Sequence, residues 1–93
     1  MPSRVNKFIP NCLRKYRKTR GLTQKDVARI LRLKSASRIS RWENGLCFPN
    51  LLSVFKLAIL YRTMVDGLFI DLRQSLKKDI YKREMVLRDK KPI

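Results

Sequence analysis

The 93-residue sequence contains no histidine, only two cysteines and only seven acidic residues. The missing histidine removes the side chain that enzymes use most often as a general base and that commonly binds metals. The few acids are too scattered to form a paired carboxylate site, and there is no glycine-rich phosphate loop. These absences predict a protein that is not an enzyme and that holds neither a metal nor another cofactor.

The two cysteines, Cys12 and Cys47, are too few for a disulfide framework. Neither has a histidine or a second cysteine nearby, so we expect both to be reduced and partly buried; a redox switch is a less favoured alternative. No apolar run approaches the length of a membrane span, and residues 1–4 lead into no apolar signal-peptide core. We therefore expect a cytoplasmic protein without a membrane partner.

Positive charge is in large excess, with 23 Lys and Arg against seven Asp and Glu and a net charge of +16. Residues 1–61 carry 14 basic and 2 acidic residues, a net +12, while residues 62–93 carry 9 and 5, a net +4. An excess of this size is typical of a chain that binds a polyanion. High solubility is the alternative, but solubility does not require one sign of charge. We therefore favour a nucleic acid as the partner of this small domain.

Residues 23–45 predict two short helices joined by a tight turn. Thr23 and Asp26 have the spacing of a capping box, which marks the start of the first helix. After a break, a second helix is predicted over residues 35–44, and Gly45 would close it. The pair forms a helix-turn-helix. The apolar residues of the first helix recur at helical spacing: Val27, Ala28, Ile30 and Leu31.

The second predicted helix presents a polar and cationic face. Ile39 and Trp42 are three residues apart on its inner side, and no acid occurs before Glu43. Arginine can donate two hydrogen bonds to guanine O6 and N7, so this face fits a helix inserted into the major groove of DNA. The exposed positions are Ser35, Ala36, Ser37, Arg38, Ser40 and Arg41.

Two motifs and the segment after them occur in a familiar order. The motifs are R-x-x-x-G-L-T-Q at residues 17–24 and I-S-R-W-E-N-G at residues 39–45, and P-N-L-x-x-V-x-K-L-A follows. Together they resemble the Cro/C1-type (XRE-family) helix-turn-helix regulators, over about residues 13–69. The resemblance implies an all-α fold, a five-helix lambda-repressor-like DNA-binding domain, here with an extended C-terminal helix.

The turn between the two helices departs from the family pattern. Arg32 stands where the family usually has glycine, and the turn is about one residue longer, with Lys34 or a neighbour as the addition. A non-glycine residue is strained at positive φ. We therefore expect this turn to follow a different path.

Site residues follow partly from the resemblance and partly from the residue types. The resemblance implies that Gln24 meets a phosphate at the start of its helix and that Arg17 pairs with Glu43 to orient the two helices. The predicted DNA contacts extend along the second helix and its flanks. Ala36 would touch a thymine methyl, Arg38 and Arg41 would discriminate bases, and Lys34 and Asn44 would meet phosphates. The full set of expected contacts is Gln24, Lys34, Ser35, Ala36, Ser37, Arg38, Arg41 and Asn44.

The flanking segments predict further elements. Residues 2–10 read as an arm with Phe8 and Ile9 against the core, and Asn11 reads as the N-cap of a first helix that ends near Arg20. The apolar fourth helix, about residues 51–60, would lie in the core or at an interface, with Phe55 buried.

The C-terminal third predicts another helix and an extension. Thr63 and Asp66 suggest a second capping box, after which one helical pattern continues. Residues 72–86 would form a protruding amphipathic helix that either folds back or pairs with a second copy, and residues 89–93 would be disordered. The predicted regions are an N-terminal arm (1–10), a helix-turn-helix domain (11–71) and a C-terminal helical extension and tail (72–93).

The sequence as a whole predicts a sequence-specific regulator of transcription that binds double-stranded DNA with helix 35–44. A homodimer is expected, joined through the fourth and fifth helices, because one small domain offers few base contacts. Three alternatives stay open: an antitoxin whose C-terminal helix docks a protein partner, a non-specific basic RNA-binding or architectural protein, and a protein-interaction module.

Overall fold

The computed structural model describes residues 8–90, and within them it contains six helices and no strand. The predictions made for residues 2–7 and 91–93 lie outside the described residues. The prediction of an all-α fold is confirmed. The helices are α1 (Leu13–Thr19), α2 (Gln24–Ile30), α3 (Ser37–Glu43), α4 (Leu51–Leu60), α5 (Val65–Leu68) and α6 (Ile70–Lys90).

A single apolar core joins α1 to α5. Ala28 is 4% exposed, and a small side chain here allows α2 and α3 to approach each other. Trp42 is 6% exposed, so its predicted place in the core is confirmed. Truncation of a buried tryptophan to alanine typically costs about 3–5 kcal/mol. The core consists of Leu13, Val27, Ala28, Leu31, Ile39, Trp42, Val54, Leu57, Ala58, Tyr61 and Leu68.

Helices α1 to α4 all end in the same hydrogen-bonded turn. The residue two positions after each helix has a positive φ: Gly21 at 71°, Arg32 at 61°, Gly45 at 74° and Arg62 at 59°. Its N–H donates to the carbonyl three residues back, and the next N–H donates to the carbonyl five residues back. This is the Schellman motif, in which glycine usually occupies the left-handed position. Arginine occupies it in two of these four turns.

The start of α1 differs slightly from the prediction. The N-cap position is Cys12, whose side chain makes no capping bond, and Asn11 lies one residue earlier. Asn11 nevertheless supplies the capping oxygen, because the Leu13 N–H donates to its Oδ1 at 3.0 Å. Phe8 is 57% exposed, so its predicted place against the core is wrong, whereas Ile9 is half-buried.

The two cysteines differ in exposure. Both are free cysteines. Cys12 is partly buried as predicted, whereas Cys47 is exposed, so its predicted partial burial is wrong. Cys47 lies in the loop after α3, where no helix covers it.

Helix α4 has the predicted bounds, and the Asn50 side chain caps it by accepting from the Ser53 N–H at 2.8 Å. Its buried residues are Val54, Leu57 and Ala58. Phe55 is 52% exposed, so its predicted burial is wrong. The reason is that α4 meets the core along only one of its faces. The opposite face leaves four large apolar side chains exposed: Leu51, Leu52, Phe55 and Ile59.

The second predicted capping box does not form. The Thr63 N–H closes the end of α4 by donating to the Ala58 carbonyl at 3.0 Å, and the Thr63 hydroxyl donates to the Tyr16 hydroxyl at 3.4 Å. Met64 therefore occupies the N-cap position of α5, without a side-chain capping bond. The Asp66 carboxylate instead accepts from Arg73 Nε at 3.0 Å.

The C-terminal helical pattern is interrupted at Phe69, where φ is −133° and ψ is 44°. The predicted continuous helix is therefore two helices, because this backbone conformation is not helical. Helix α6 then runs to Lys90, so the prediction of disorder is wrong for Asp89 and Lys90. The Phe69 ring packs 5.8 Å from the Phe48 ring, which holds the junction against the loop before α4.

Helix α6 has 21 residues and none of them is buried. An open apolar groove of about 500 Å³ lies between α4 and the first half of α6. Its lining includes Leu51, Val54, Phe69, Leu72 and Leu76. Among residues 8–90, no helix has the length and apolar character needed to cross a bilayer. Leu72, Leu76 and Ile80 of α6 line this groove, which the described residues leave open.

Candidate nucleic-acid interface

The turn between α2 and α3 adopts the conformation that we expected it to avoid. Arg32 has a φ of 61°, so the expectation of a different path for a non-glycine residue is wrong. Two hydrogen bonds hold the strained residue in place, from the Arg32 N–H to the Arg29 carbonyl at 3.1 Å and from the Leu33 N–H to the Ala28 carbonyl at 2.8 Å.

Helix α3 begins at Ser37, two residues later than predicted. Ser35 and Ala36 therefore belong to the turn, with Ala36 in the N-cap position and without a capping side chain. The Ser35 and Ser37 hydroxyls are 2.8 Å apart, and the Ser37 N–H donates to Ser35 Oγ at 3.4 Å. This contact replaces the missing cap, so α3 starts later but with its first N–H satisfied.

The exposed face of α3 consists of Ser37, Arg38, Arg41 and Asn44. Residues three or four positions apart share one side of a helix. Ile39 and Trp42 therefore form the buried side of α3, and the exposed face lies opposite them. Ser40 is half-buried at its edge. This face carries two guanidinium groups, one hydroxyl and one amide, and therefore presents mainly hydrogen-bond donors to solvent.

The turn contributes further cations beside this face. A polar cleft of about 370 Å³ is lined by Arg32, Leu33, Lys34, Ser35, Ser37, Arg38 and Arg41. The structure thus brings Lys34, Ser35, Ser37, Arg38 and Arg41 to one surface. Ala36 does not line this cleft; it is half-buried against the core and lines a neighbouring one, with Lys25 and Arg29. Three further cations near this surface were not among the predicted contacts: Lys25, Arg29 and Arg32. The spacing of the apolar residues in the sequence does indicate that they lie on the exposed side of α2 and in the turn.

An ion pair fixes α3 to α1. Arg17 Nε donates to Glu43 Oε2 at 2.6 Å and a terminal nitrogen of Arg17 donates to Oε1 at 3.2 Å. The Arg17 side chain is 11% exposed and that of Glu43 is 1% exposed. Arg17 also donates to the Leu22 carbonyl at 2.9 Å, which ties in the chain that leads to α2.

Gln24 and Arg14 complete the surroundings of Glu43. The Gln24 side-chain amide donates to Oε1 at 3.0 Å, so it is already engaged inside the protein rather than wholly free for a phosphate. Arg14 reaches Oε1 at 3.4 Å and the Asn44 amide oxygen at 3.1 Å. Burial raises the pKa of Glu43, but the hydrogen bonds from Arg17 and Gln24 outweigh this effect and hold its pKa below the usual 4.5.

Asn11 has a second function that sequence reasoning missed. Its amide nitrogen lies within hydrogen-bond distance of the Trp42 carbonyl at 3.1 Å, the Glu43 carbonyl at 3.3 Å and the Ile9 carbonyl at 3.0 Å. It thereby serves the Glu43 carbonyl at the end of α3 and adds a second donor to the Trp42 carbonyl, which already accepts from the Gly45 N–H at 3.0 Å. No local pattern signals this role, because the partners in α3 lie more than 30 residues away.

The acidic residues of α1 to α4 are held in internal bonds. Residues 8–61 contain only Asp26 and Glu43. Asp26 accepts from the Thr23 N–H at 2.9 Å in the predicted capping box, which is confirmed, and this bond lowers the pKa of Asp26. Neither carboxylate lies on the exposed face of α3, so nothing there opposes an approaching phosphate.

Among residues 8–90 there is no group of three or more potential metal-binding His, Cys, Asp or Glu side chains.

The chain matches the family model described as Helix-turn-helix over residues 13–65, which is more than half of its length. No curated protein and no solved structure matches the chain. The family consists of lambda-repressor-like, all-α DNA-binding domains without enzymatic activity. The chain therefore belongs to the Cro/C1-type (XRE) family of helix-turn-helix DNA-binding regulators.

Proposed function

We propose that the protein is a sequence-specific regulator of transcription that reads the major groove of double-stranded DNA with α3. The observation that carries the proposal is the exposed face of α3, where Arg38 and Arg41 stand beside Ser37 and Asn44. Such a face can donate to guanine edges and to phosphates without repulsion from a carboxylate. A protein of this kind would act in the cytoplasm.

The proposed contacts divide by chemistry. Arg38 and Arg41 discriminate bases, because each can donate two bonds to one guanine, a contact that is worth roughly 1–3 kcal/mol. Ser37 meets a base edge or a phosphate. Ala36 touches a thymine methyl with the part of its side chain that is not buried. The remaining residues position the domain on the phosphate backbone: Lys34, Ser35 and Asn44.

For Gln24 we propose a shared role. One N–H of its amide serves Glu43, and the second N–H is available for a phosphate oxygen, since a primary amide has two donors. The Arg17–Glu43 pair would act indirectly, because it holds α3 at a fixed angle to α1.

Two copies are needed for useful specificity. Helix α3 has seven residues and therefore spans only about 10 Å. One such helix reads a few base pairs, so we propose a homodimer on a two-fold site. The proposed dimer face consists of Leu51, Leu52 and Phe55 on α4, and Leu72 and Leu76 on α6, next to the apolar groove. The two parts of the chain are then a DNA-binding domain (11–71, after the arm 1–10) and an extension (72–93).

The test is the selection of binding sites from randomised duplex DNA with the purified protein at low and moderate salt. Enrichment of an inverted repeat is expected, and its half-site spacing reports the dimer geometry. Arg41→Ala should relax one position in each half-site, whereas Lys78→Ala on the remote α6 should leave the motif unchanged. Binding without any enriched motif would overturn sequence-specific reading and favour the architectural alternative.

A further inference from the structure

A second cleft lies between the C-terminal ends of α2 and α4. Its volume is about 580 Å³, and its floor is apolar. Ile30 and Ile59, which are 53% and 70% exposed, line it together with Leu31 and Leu60. Exposed isoleucines at two adjacent helix ends are more than an isolated surface hydrophobe and indicate a contact surface.

The rim of this cleft is cationic. Arg32, Lys56 and Arg62 surround the apolar floor, and no carboxylate lines it. None of the three cations forms an ion pair with an acid of the described residues. The sequence has seven acids and all lie within residues 8–90, so its Asp and Glu side chains leave this rim uncompensated.

Both arginines of the rim are held in the left-handed conformation, with φ of 61° and 59°. A cation near a helix C-terminus is favoured by the helix dipole, but a lysine or arginine in the last helical turn would satisfy it without strain. A side chain at this position is strained, whereas glycine is not. The chain has glycine at the equivalent places after α1 and α3 but arginine at the two places that face this cleft.

We propose that this cleft docks an acidic, amphipathic helical segment of a second protein. Apolar side chains of such a segment would cover Ile30 and Ile59, and its flanking carboxylates would pair with Arg32, Lys56 and Arg62. A protein is favoured over nucleic acid because a phosphate backbone offers nothing to cover the isoleucines. Arg32 also borders the cleft beside α3, so the partner would sit next to bound DNA.

The probe is a fluorescein-labelled 18-residue peptide with leucines spaced by three and four residues and glutamates on the flanks. A scrambled peptide of the same composition is its control, because a chain of net charge +16 attracts any acidic peptide. Binding is measured by fluorescence anisotropy, and the site is located from amide shifts in ¹H–¹⁵N spectra of the full chain. The expected shifts cluster in residues 30–32 and 56–62. Equal binding of the two peptides, or shifts elsewhere only, would overturn the proposal.

Matched variants separate the cleft from general charge. Lys56→Glu and Ile30→Gln should each weaken peptide binding about tenfold, whereas Lys78→Glu on α6 and Leu46→Gln in the loop after α3 should change it less than twofold. Both lysine variants should lower the affinity for duplex DNA to the same small extent. If Lys56→Glu weakened DNA binding much more than Lys78→Glu did, the cleft would belong to the DNA contact and the proposal of a protein partner would be wrong.

Discussion

Arg17 Nε stands 2.6 Å from Glu43 Oε2, although 26 residues separate the two in sequence. The pair is almost enclosed, and it joins α1 to the last residue of α3. The two partners are not equally dependent on each other. Glu43 has other donors in Gln24 and Arg14, whereas among the described carboxylates Arg17 is paired with Glu43 alone.

This asymmetry predicts unequal costs of mutation. Glu43→Ala should lower the free energy of unfolding by up to about 3–5 kcal/mol, because it leaves the Arg17 guanidinium, on a side chain that is 11% exposed, without a carboxylate. Arg17→Met should cost less and leave a folded protein that binds DNA more weakly, since Glu43 retains two donors. Urea denaturation of the parent and the two variants measures the two losses of stability, and titration of duplex DNA measures the weaker binding of Arg17→Met. Equal midpoints for Glu43→Ala and the parent would contradict this account.

The lowered pKa of Glu43 predicts a loss of stability in acid. Because the pKa is lower in the folded state than in the unfolded chain, protons bind preferentially to the unfolded chain. The contribution is therefore complete above the unfolded value, near 4.5, and disappears as the pH falls through the folded value. Urea midpoints measured from about pH 6 to pH 3 should fall, and Glu43→Gln should flatten the curve. The pKa of Asp26 is also lowered, so Asp26→Asn should flatten the curve too, and it measures the separate share of the capping box. An unchanged slope in Glu43→Gln would refute the assignment to Glu43.

The left-handed arginines predict stabilisation by glycine. Arg32→Gly and Arg62→Gly should each raise the free energy of unfolding by about 0.5–1 kcal/mol, because relief of strain exceeds the added entropy of the unfolded chain. Arg32→Ala and Arg62→Ala keep the β-carbon and should bring no gain. Thermal melts of the four variants decide the matter; a gain with alanine equal to that with glycine would show that charge, not backbone strain, is responsible.

Two glycines with the same conformation predict different costs. A β-carbon at Gly45 would lie 2.6 Å from the Ile9 carbonyl oxygen and 2.8 Å from the Ile9 nitrogen, whereas one at Gly21 would meet nothing within 4 Å. Gly21→Ala should cost about 0.5–1 kcal/mol, because the strain of a side chain at positive φ exceeds the gain from a less flexible unfolded chain. Gly45→Ala should cost at least about 2 kcal/mol more, because the backbone around Ile9 must also move. Similar denaturation midpoints for the two variants would contradict the close packing at Gly45.

The exposed apolar face of α4 predicts an oligomer that a single charge disrupts. Phe55 is 52% exposed, so Phe55→Glu should leave the fold of the monomer intact and shift the protein from dimer to monomer in sedimentation experiments. Leu46→Glu, at a residue that is 59% exposed in the loop after α3, is the matched control and should leave the dimer unchanged. A parent protein that sediments as a monomer at all concentrations would reject the proposed dimer.

Local signals in the sequence located several elements well. Helix α4 was predicted with its observed bounds because Pro49 and Asn50 mark its start, and the capping box of Thr23 and Asp26 forms as expected. The errors arose where tertiary contacts decide the outcome. The interruption at Phe69 accompanies packing against Phe48, and Phe55 is exposed because the core takes only one face of an otherwise apolar helix.

The candidate interface shows the same division. The polar composition of residues 35–44 pointed to the surface that the structure presents, but not to where α3 begins, since Ser35 caps Ser37 from within the turn. The bond between Gln24 and Glu43 and the contacts of Asn11 with the Trp42 and Glu43 carbonyls join residues far apart in sequence. Spacing patterns carry no information about such contacts, so they could be found only in the folded chain.

The four Schellman turns also have a consequence for folding kinetics. Each closes with hydrogen bonds between residues three and five apart, so the reversals after α1, α2, α3 and α4 require no distant part of the chain. Proteins dominated by such local contacts fold in microseconds to milliseconds, because little chain entropy is lost before contacts form. The slow event would then be the docking of α1 onto α3, when Arg17 and Asn11 find their partners at the C-terminal end of α3.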